Sequence, residues 1–213
     1  MMRSATEVLL LVDLQNDFMP GGALAVERGD EIVPLVNRLA REFDHVVFTQ
    51  DWHPREHVSF AGNHPGRQPF ETIALPYGEQ VLWPAHCVQG TEGAALHRGL
   101  DVPHARAIIR KGHHADVDSY SAFLEADRKT PTGLAGYLRD TGVTRVWCCG
   151  LATDYCVGWS ALDARAAGFD VALIEDASRA IDLDDSLAHA WRQLTAAGVA
   201  RVQSAEVMAG WGQ

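Results

Sequence analysis

Asp13, Lys111 and Cys156 are an acid, an ammonium and a thiol, and each stands just beyond a short apolar run. Asp13 follows V-L-L-L-V, Lys111 follows A-I-I-R, and Cys156 follows V-W-C-C-G-L-A-T-D-Y. Asp51 and His53 follow a fourth run, V-V-F-T-Q. If these runs are parallel strands of one open sheet, all the groups meet at its carboxyl edge, where α/β sheets bind ligands. Together they are the parts for thiol-based acyl transfer. The thiol attacks, the carboxylate acts as general base and then acid, and the ammonium stabilises the charges. Cys156 also opens a helix in this reading, where the dipole and free N–H groups favour a thiolate and can receive an oxyanion. Each group has a blander use on its own. Free cysteines are commonly small buried apolar residues, a lysine is commonly solvated, and Asp13 can cap a turn. Their shared placement at strand ends is what favours catalysis.

A second set is of metal-ligand type. Asp51, His53 and His57 lie in one short segment, and His86 sits in W-P-A-H-C. A carboxylate with imidazoles suits Zn, Fe or Mn, and a shell completed by water is open to substrate. D-x-H alone is a weak signal; His86 strengthens it. Cys87 is set aside, because adjacent side chains rarely point at one ion. His45, His64, His97, His104 and His189 read as surface or loop residues; His113 and His114 follow Lys111 and could line the rim, but ordinary surface positions are the better reading.

Alternating strands and helices must position these groups. The sequence predicts strands over 7–12, 46–50, 107–110, 145–150, 170–174 and 200–203. It predicts helices over 31–42 with Asp30 as cap, 132–140 with Thr130 or Thr132 at its start, 154–167 ending at Gly168, and 183–197 ending at Gly198. This is a three-layer α/β/α fold on a six-stranded parallel sheet. Residues 52–105 are rich in Pro, Gly and His and read as an active-site insertion with short helical pieces.

The 213 residues suit one domain, 1–213, carrying that insertion. A net charge of −10 argues against nucleic acid as a partner. Cys87, Cys148, Cys149 and Cys156 form no disulfide framework, and Cys148 and Cys149 read as core. The apolar stretch 8–12 is too short for a signal peptide or a membrane span, so a cytoplasmic protein is expected. Trp147, Trp159, Trp191 and Trp211 can serve a core or a homo-oligomer interface.

The motifs, taken in order, resemble the nicotinamidase/pyrazinamidase branch of the isochorismatase-like hydrolases. The matching segments are V-D-L-Q-N-D-F at 12–18, D-W-H-P at 51–54, W-P-A-H-C-V-Q-G at 83–90, K-G at 111–112, D-S-Y-S-A-F at 118–123 and G-L-A-T-D-Y-C-V at 150–157. The resemblance implies a Rossmann-like sheet of order 3-2-1-4-5-6 and an Asp13–Lys111–Cys156 triad. It implies an oxyanion hole from the N–H groups of Ala152 and Cys156, with a cis peptide before Ala152. It further implies one divalent metal on Asp51, His53 and His86, with His57 a further ligand candidate, zinc first among Zn, Fe and Mn. Phe18, Trp83 and Tyr120 match the aromatic pocket, although each could equally be packing residues. The expected reaction is hydrolysis of nicotinamide to nicotinate and ammonia through a Cys156 thioester, feeding NAD salvage, with side activity on pyrazinamide. Cys156 argues against the isochorismatases, which lack the thiol. Asp51, His53 and His86 argue against the carbamoyl- and ureidoacrylate-type amidases, which lack the D-x-H cluster. A nicotinamide- or metal-sensing protein would tolerate loss of the triad, which is complete here, and a thiol redox sensor would need a better-placed second cysteine.

Overall fold

The computed structural model describes residues 4–210. Its frame is a parallel six-stranded sheet of β1 (Glu7–Val12), β2 (Val46–Asp51), β5 (Ala107–Lys111), β6 (Arg145–Leu151), β7 (Asp170–Arg179) and β8 (Ala200–Val202). The spatial order is β5-β2-β1-β6-β7-β8, with every neighbouring pair parallel. Counting only these six, that is the expected 3-2-1-4-5-6. Every residue of β1 is buried, which explains its unbroken apolar run: a central parallel strand is covered on both faces. Leu9 and Leu11 face one core with Val36 and Leu39 of α1 (Val33–Ala40) and Val207 of α5 (Ser204–Met208). Val8, Leu10 and Val12 face the other. There they join Leu134 and Leu138 of α2 (Leu134–Asp140), Ala161 and Ala164 of α3 (Gly158–Ala166) and Leu194 of α4 (Ser186–Ala196). These are the three layers.

Strand order puts β1 between β2 and β6, so Asp13 lies between the ends that carry Asp51 and Cys156. The close approach of β6 to β1 needs glycine at 150. A Cβ there would fall 2.1 Å from the Val12 carbonyl oxygen, and φ is +127°.

Several local expectations need correction. Asp30 does not cap α1: it lies inside a 3-10 turn, Gly29–Ile32, and no side chain caps either element. The segment before α3 is a separate π-type turn, Thr153–Val157, kinked at Tyr155, rather than the first turn of one helix. The insertion contains an antiparallel hairpin, β3 (Thr72–Leu75) with β4 (Gly78–Val81), besides one 3-10 turn at Ala61–Asn63. Its half-exposed, weakly alternating strands carried no period that the sequence could reveal. His45 is not a surface residue but fully buried. Trp147 is core, its Nε1 donating to Glu7 Oε2 at 2.7 Å, whereas Trp159 is exposed. Trp211 lies outside the described residues.

Candidate active site

Asp13 leaves β1 with φ +50°, a left-handed turn that Asp tolerates better than most residues. Thr49 of β2 locks it twice: Thr49 Oγ1 donates to Asp13 Oδ1 at 2.5 Å and accepts from the Asp13 N–H at 3.1 Å. Lys111, the last residue of β5, is fully buried. Its Nζ lies 2.9 Å from Asp13 Oδ2, 2.5 Å from Asp51 Oδ1, 2.9 Å from the Ser119 carbonyl oxygen and 3.3 Å from Cys156 Sγ. An ammonium has three protons for these four neighbours. Asp13 Oδ2 is the atom left without a hydrogen bond, close to the charge but off its axis. One basic, buried lone pair is therefore kept beside the thiol.

Burial raises the Asp13 carboxyl above its ordinary value, outweighing the pull of Lys111. Burial opposes charge on Lys111 too, but Asp13 and Asp51 hold it well above a normal lysine. Burial also pushes the Cys156 thiol well up, despite Lys111. This corrects the expectation of a thiolate favoured by the helix start: desolvation dominates, so the resting group is a thiol that needs a base. The elevated carboxylate of Asp13 is such a base.

Asp51 is fixed through its backbone by Gln15. Gln15 Oε1 accepts from the Asp51 N–H at 2.8 Å, and Gln15 Nε2 donates to the Asp51 carbonyl at 2.8 Å. His53 Nε2 is 3.6 Å and His86 Nε2 3.9 Å from Asp51 Oδ2. The opposite ring nitrogens are tied to carbonyls, His53 Nδ1 to Gly112 at 2.9 Å and His86 Nδ1 to Pro84 at 2.8 Å. Carbonyls accept only, so each Nδ1 carries a proton and each Nε2 faces the Asp51 carboxylate, the orientation of metal-binding histidines. Burial opposes charge on His53, but Asp51 beside it raises the imidazole above its ordinary value, so a cation bound here would take the place of a proton on its Nε2. Burial and then His53 lower His86 to about 4, which keeps it neutral and able to ligate. Burial would raise Asp51, but Lys111 and His53 hold it ionised and below the usual carboxylate range. The donor set fits a divalent cation. His57 stands apart from Asp51 and His86: Nδ1 lies 2.7 Å from Ser59 Oγ, Nε2 3.2 Å from the Val117 carbonyl, and the ring lies 4.2 Å from that of His53, where it groups with His53 and Asp118.

Cys156 of the first set and Asp51, His53 and His86 of the second open on one aromatic-walled recess, lined also by Phe18, Trp83, Tyr120, Ala152, Tyr155 and Ile181. That suits a small aromatic molecule. Trp83 Nε1 donates to Tyr120 Oη at 3.0 Å, and Tyr155 meets the Trp83 ring edge-on at 5.1 Å. The Leu151–Ala152 peptide is cis.

An isochorismatase domain matches residues 7–207. The nicotinamidase of Acinetobacter baylyi is 57% identical over 94% of this chain and 94% of its own length. A solved nicotinamidase/pyrazinamidase of Acinetobacter baumannii superposes with a TM-score of 0.96, at 55% identity, covering 96% of this chain and 99% of that one. The chain belongs to the isochorismatase family, among its nicotinamidases. A pyrazinamidase of Pyrococcus horikoshii, solved in complex with zinc, aligns with this family member at 40% identity and a TM-score of 0.77, over 93% of this chain and 99% of that one.

Most residues singled out in this isochorismatase-family sequence converge on the recess; His57 stands behind it. Others were missed. Thr49 and Gln15 act on Asp13 and Asp51 across strands; Gln15 lies within V-D-L-Q-N-D-F, but nothing local ties it to Asp51, and Thr49 belongs to no such segment. Asp118 lines the recess and is held by Gln80 Nε2 at 2.7 Å, from the hairpin. Tyr155 and Asp118 lay inside motifs already quoted; their neighbours Cys156 and Tyr120 drew the attention.

Proposed function

We propose that this chain hydrolyses nicotinamide to nicotinate and ammonia, with Asp13, Lys111 and Cys156 as the catalytic triad. The observation that carries this reading is the Lys111 ammonium, which touches Asp13, Cys156 and Asp51 at once and so joins the thiol to the ligand set in one recess. Asp13 Oδ2 takes the thiol proton as Sγ attacks the carboxamide carbon. Lys111 stays protonated and balances the charge passed between carboxylate and sulfur. The N–H groups of Ala152 and Cys156 receive the oxyanion. Asp13 returns the proton to the departing ammonia, leaving a thioester on Cys156. Asp13 then activates water, and hydrolysis of the thioester releases nicotinate and restores the thiol. Phe18, Trp83 and Tyr120 enclose the ring.

Asp51, His53 and His86 would hold one divalent cation, a Lewis-acid docking point for the ring nitrogen, with zinc the first choice for these borderline donors. Residues 1–213 act as one domain, in which the insertion 52–105 supplies His53, His86 and Trp83. Pyrazinamide, isosteric at the reacting amide, is the expected side substrate, and NAD salvage in the cytoplasm the setting. No described helix is long and apolar enough to cross a membrane.

The test is ammonia release from nicotinamide by purified protein, before and after chelation and with metal restored. Release that falls and returns supports the whole reading. Release indifferent to chelation removes Asp51, His53 and His86 from substrate binding, and no release by metal-loaded protein overturns the substrate. Cys156→Ala should abolish turnover while circular dichroism and metal content stay unchanged; residual turnover at the wild-type rate would end the thiol mechanism.

A further inference from the structure

His113 and His114 take no part in the reaction just described, yet they do not stand alone. Both are exposed at the end of β5, with ring centroids 4.1 Å apart and planes 39° from parallel. His114 Nδ1 lies 2.8 and 2.9 Å from the two carboxylate oxygens of Glu125. One ring nitrogen from each histidine and one oxygen of Glu125 all fall within 4.8 Å of one another. Two tetrahedral donors bound to one ion at about 2.0–2.1 Å stand roughly 3.3 Å apart, so an ion taking the place of the His114–Glu125 proton would need only a small opening of the pair.

The Glu125 side chain is 1% exposed although its imidazole partner is 45% exposed. A carboxylate that deep is stabilised by a positive partner, which a cation bound beside it would supply. Its backbone is also anchored: the Glu125 N–H donates to the Thr130 carbonyl at 2.9 Å, and the Glu125 carbonyl accepts from Arg128 at 2.9 Å. The result is a rigid anionic floor with two imidazoles above it on the solvent side, which gives an ion an entry path. We propose that His113, His114 and Glu125 form a second divalent-cation site of the zinc class, separate from the Asp51–His53–His86 set. Two imidazoles and one carboxylate are borderline donors that favour zinc-like ions over magnesium or calcium.

The test is titration of Zn²⁺ into protein already loaded with one equivalent, read by calorimetry and by metal content after gel filtration. The wild type should take one further equivalent. His114→Ala and Glu125→Gln should take none, with nicotinamide turnover unchanged in both. His113→Ala, at an exposed position that leaves the packing intact, should bind this equivalent at least tenfold more weakly. His97→Ala should retain it, and Asp51→Asn, which lacks the other ligand set, should bind a single equivalent in all. No second equivalent in the wild type would overturn the proposal. So would a second equivalent retained at full affinity by Glu125→Gln and His114→Ala, since that zinc would be bound to scattered surface imidazoles.

Discussion

At the scale of single residues, the site depends on how few polar atoms are left unsatisfied. Asp13 Oδ1 is occupied by Thr49, and Oδ2 is held near Lys111 without a hydrogen bond. A base in that condition is strong because burial raises its proton affinity, outweighing the opposing pull of the Lys111 ammonium 2.9 Å away. Asp13→Asn keeps the shape and removes the base. It should lower kcat by about 10²–10⁴-fold, the usual contribution of general acid–base catalysis, with KM little changed. Steady-state ammonia release checks this, and a kcat within a few-fold of wild type would assign the proton to another group. Gly112 makes a second residue-scale point. Its carbonyl orients His53, its φ is +63°, and a Cβ at this position would lie 2.4 Å from His53 Cε1. Gly112→Ala must therefore rotate or displace the imidazole. Losses of outer-shell support typically cost roughly 10–100-fold in metal affinity, and competition against a chromogenic chelator should find a loss of that order. Unchanged affinity would detach His53 from the ligand set.

At the scale of elements, the nucleophile turn is braced from a distance in sequence. Asp154, in the turn with Cys156, accepts from the Ile181 N–H at 3.0 Å, the Asp182 N–H at 2.7 Å and Ser186 Oγ at 2.5 Å. That segment needs bracing, because Asp182, Asp184 and Asp185 all adopt positive φ, which costs conformational energy for non-glycine residues. Ile181 lines the recess, so one carboxylate ties the thiol's turn to a wall of the pocket. Asp154→Asn would lose an acceptor; hydrogen bonds to charged groups are worth about 1.5–3 kcal/mol. The expected outcome is a KM for nicotinamide raised about tenfold, which corresponds to 1.4 kcal/mol, with a smaller fall in kcat. The two constants measured side by side decide it: a fall in kcat alone would mean that Asp154 serves the chemistry rather than the pocket wall.

At the scale of the molecule, two cores on either side of the sheet hold most large apolar side chains, and His45 is one of the titratable groups buried with them. His45 is fully buried, with Nε2 3.0 Å from Tyr137 Oη and Nδ1 without a hydrogen-bond partner among the described residues. Burial, assisted by Arg106, lowers its proton affinity below the ordinary value of 6.5. The unfolded chain therefore binds a proton near pH 6.5 that the folded chain refuses. The contribution of His45 to stability is present above that pH and declines as pH falls through 6.5 toward the folded value. Urea unfolding should show stability falling between pH 7.5 and pH 5, and His45→Gln should lessen this dependence, with His57 and His86, also lowered by burial, supplying the rest. An equal slope in wild type and variant would locate the pH sensitivity elsewhere.

The sequence alone determined the strand ends and what stands on them. Unbroken apolar runs mark strands buried on both faces, and polar residues that directly follow them must emerge at one edge of a parallel sheet. Asp13, Asp51, His53, Lys111 and Cys156 were legible for that reason; the alternation of strands with helices implied the three layers, and the strand order followed only from the family resemblance. Tertiary structure decided everything that depends on contact between distant segments. Thr49 and Gln15 are ordinary strand and loop residues until β1 and β2 lie side by side. The hairpin Thr72–Val81 carries no periodicity, yet it brings Gln80 to Asp118. The protonation of Cys156 was misread for the same reason. A local sequence shows the helix start that favours a thiolate, whereas the burial that overrides it comes from the whole fold. Periodicity along the chain reports which face of an element is covered; charge state and hydrogen bonding follow from what covers it, and only three-dimensional packing supplies that.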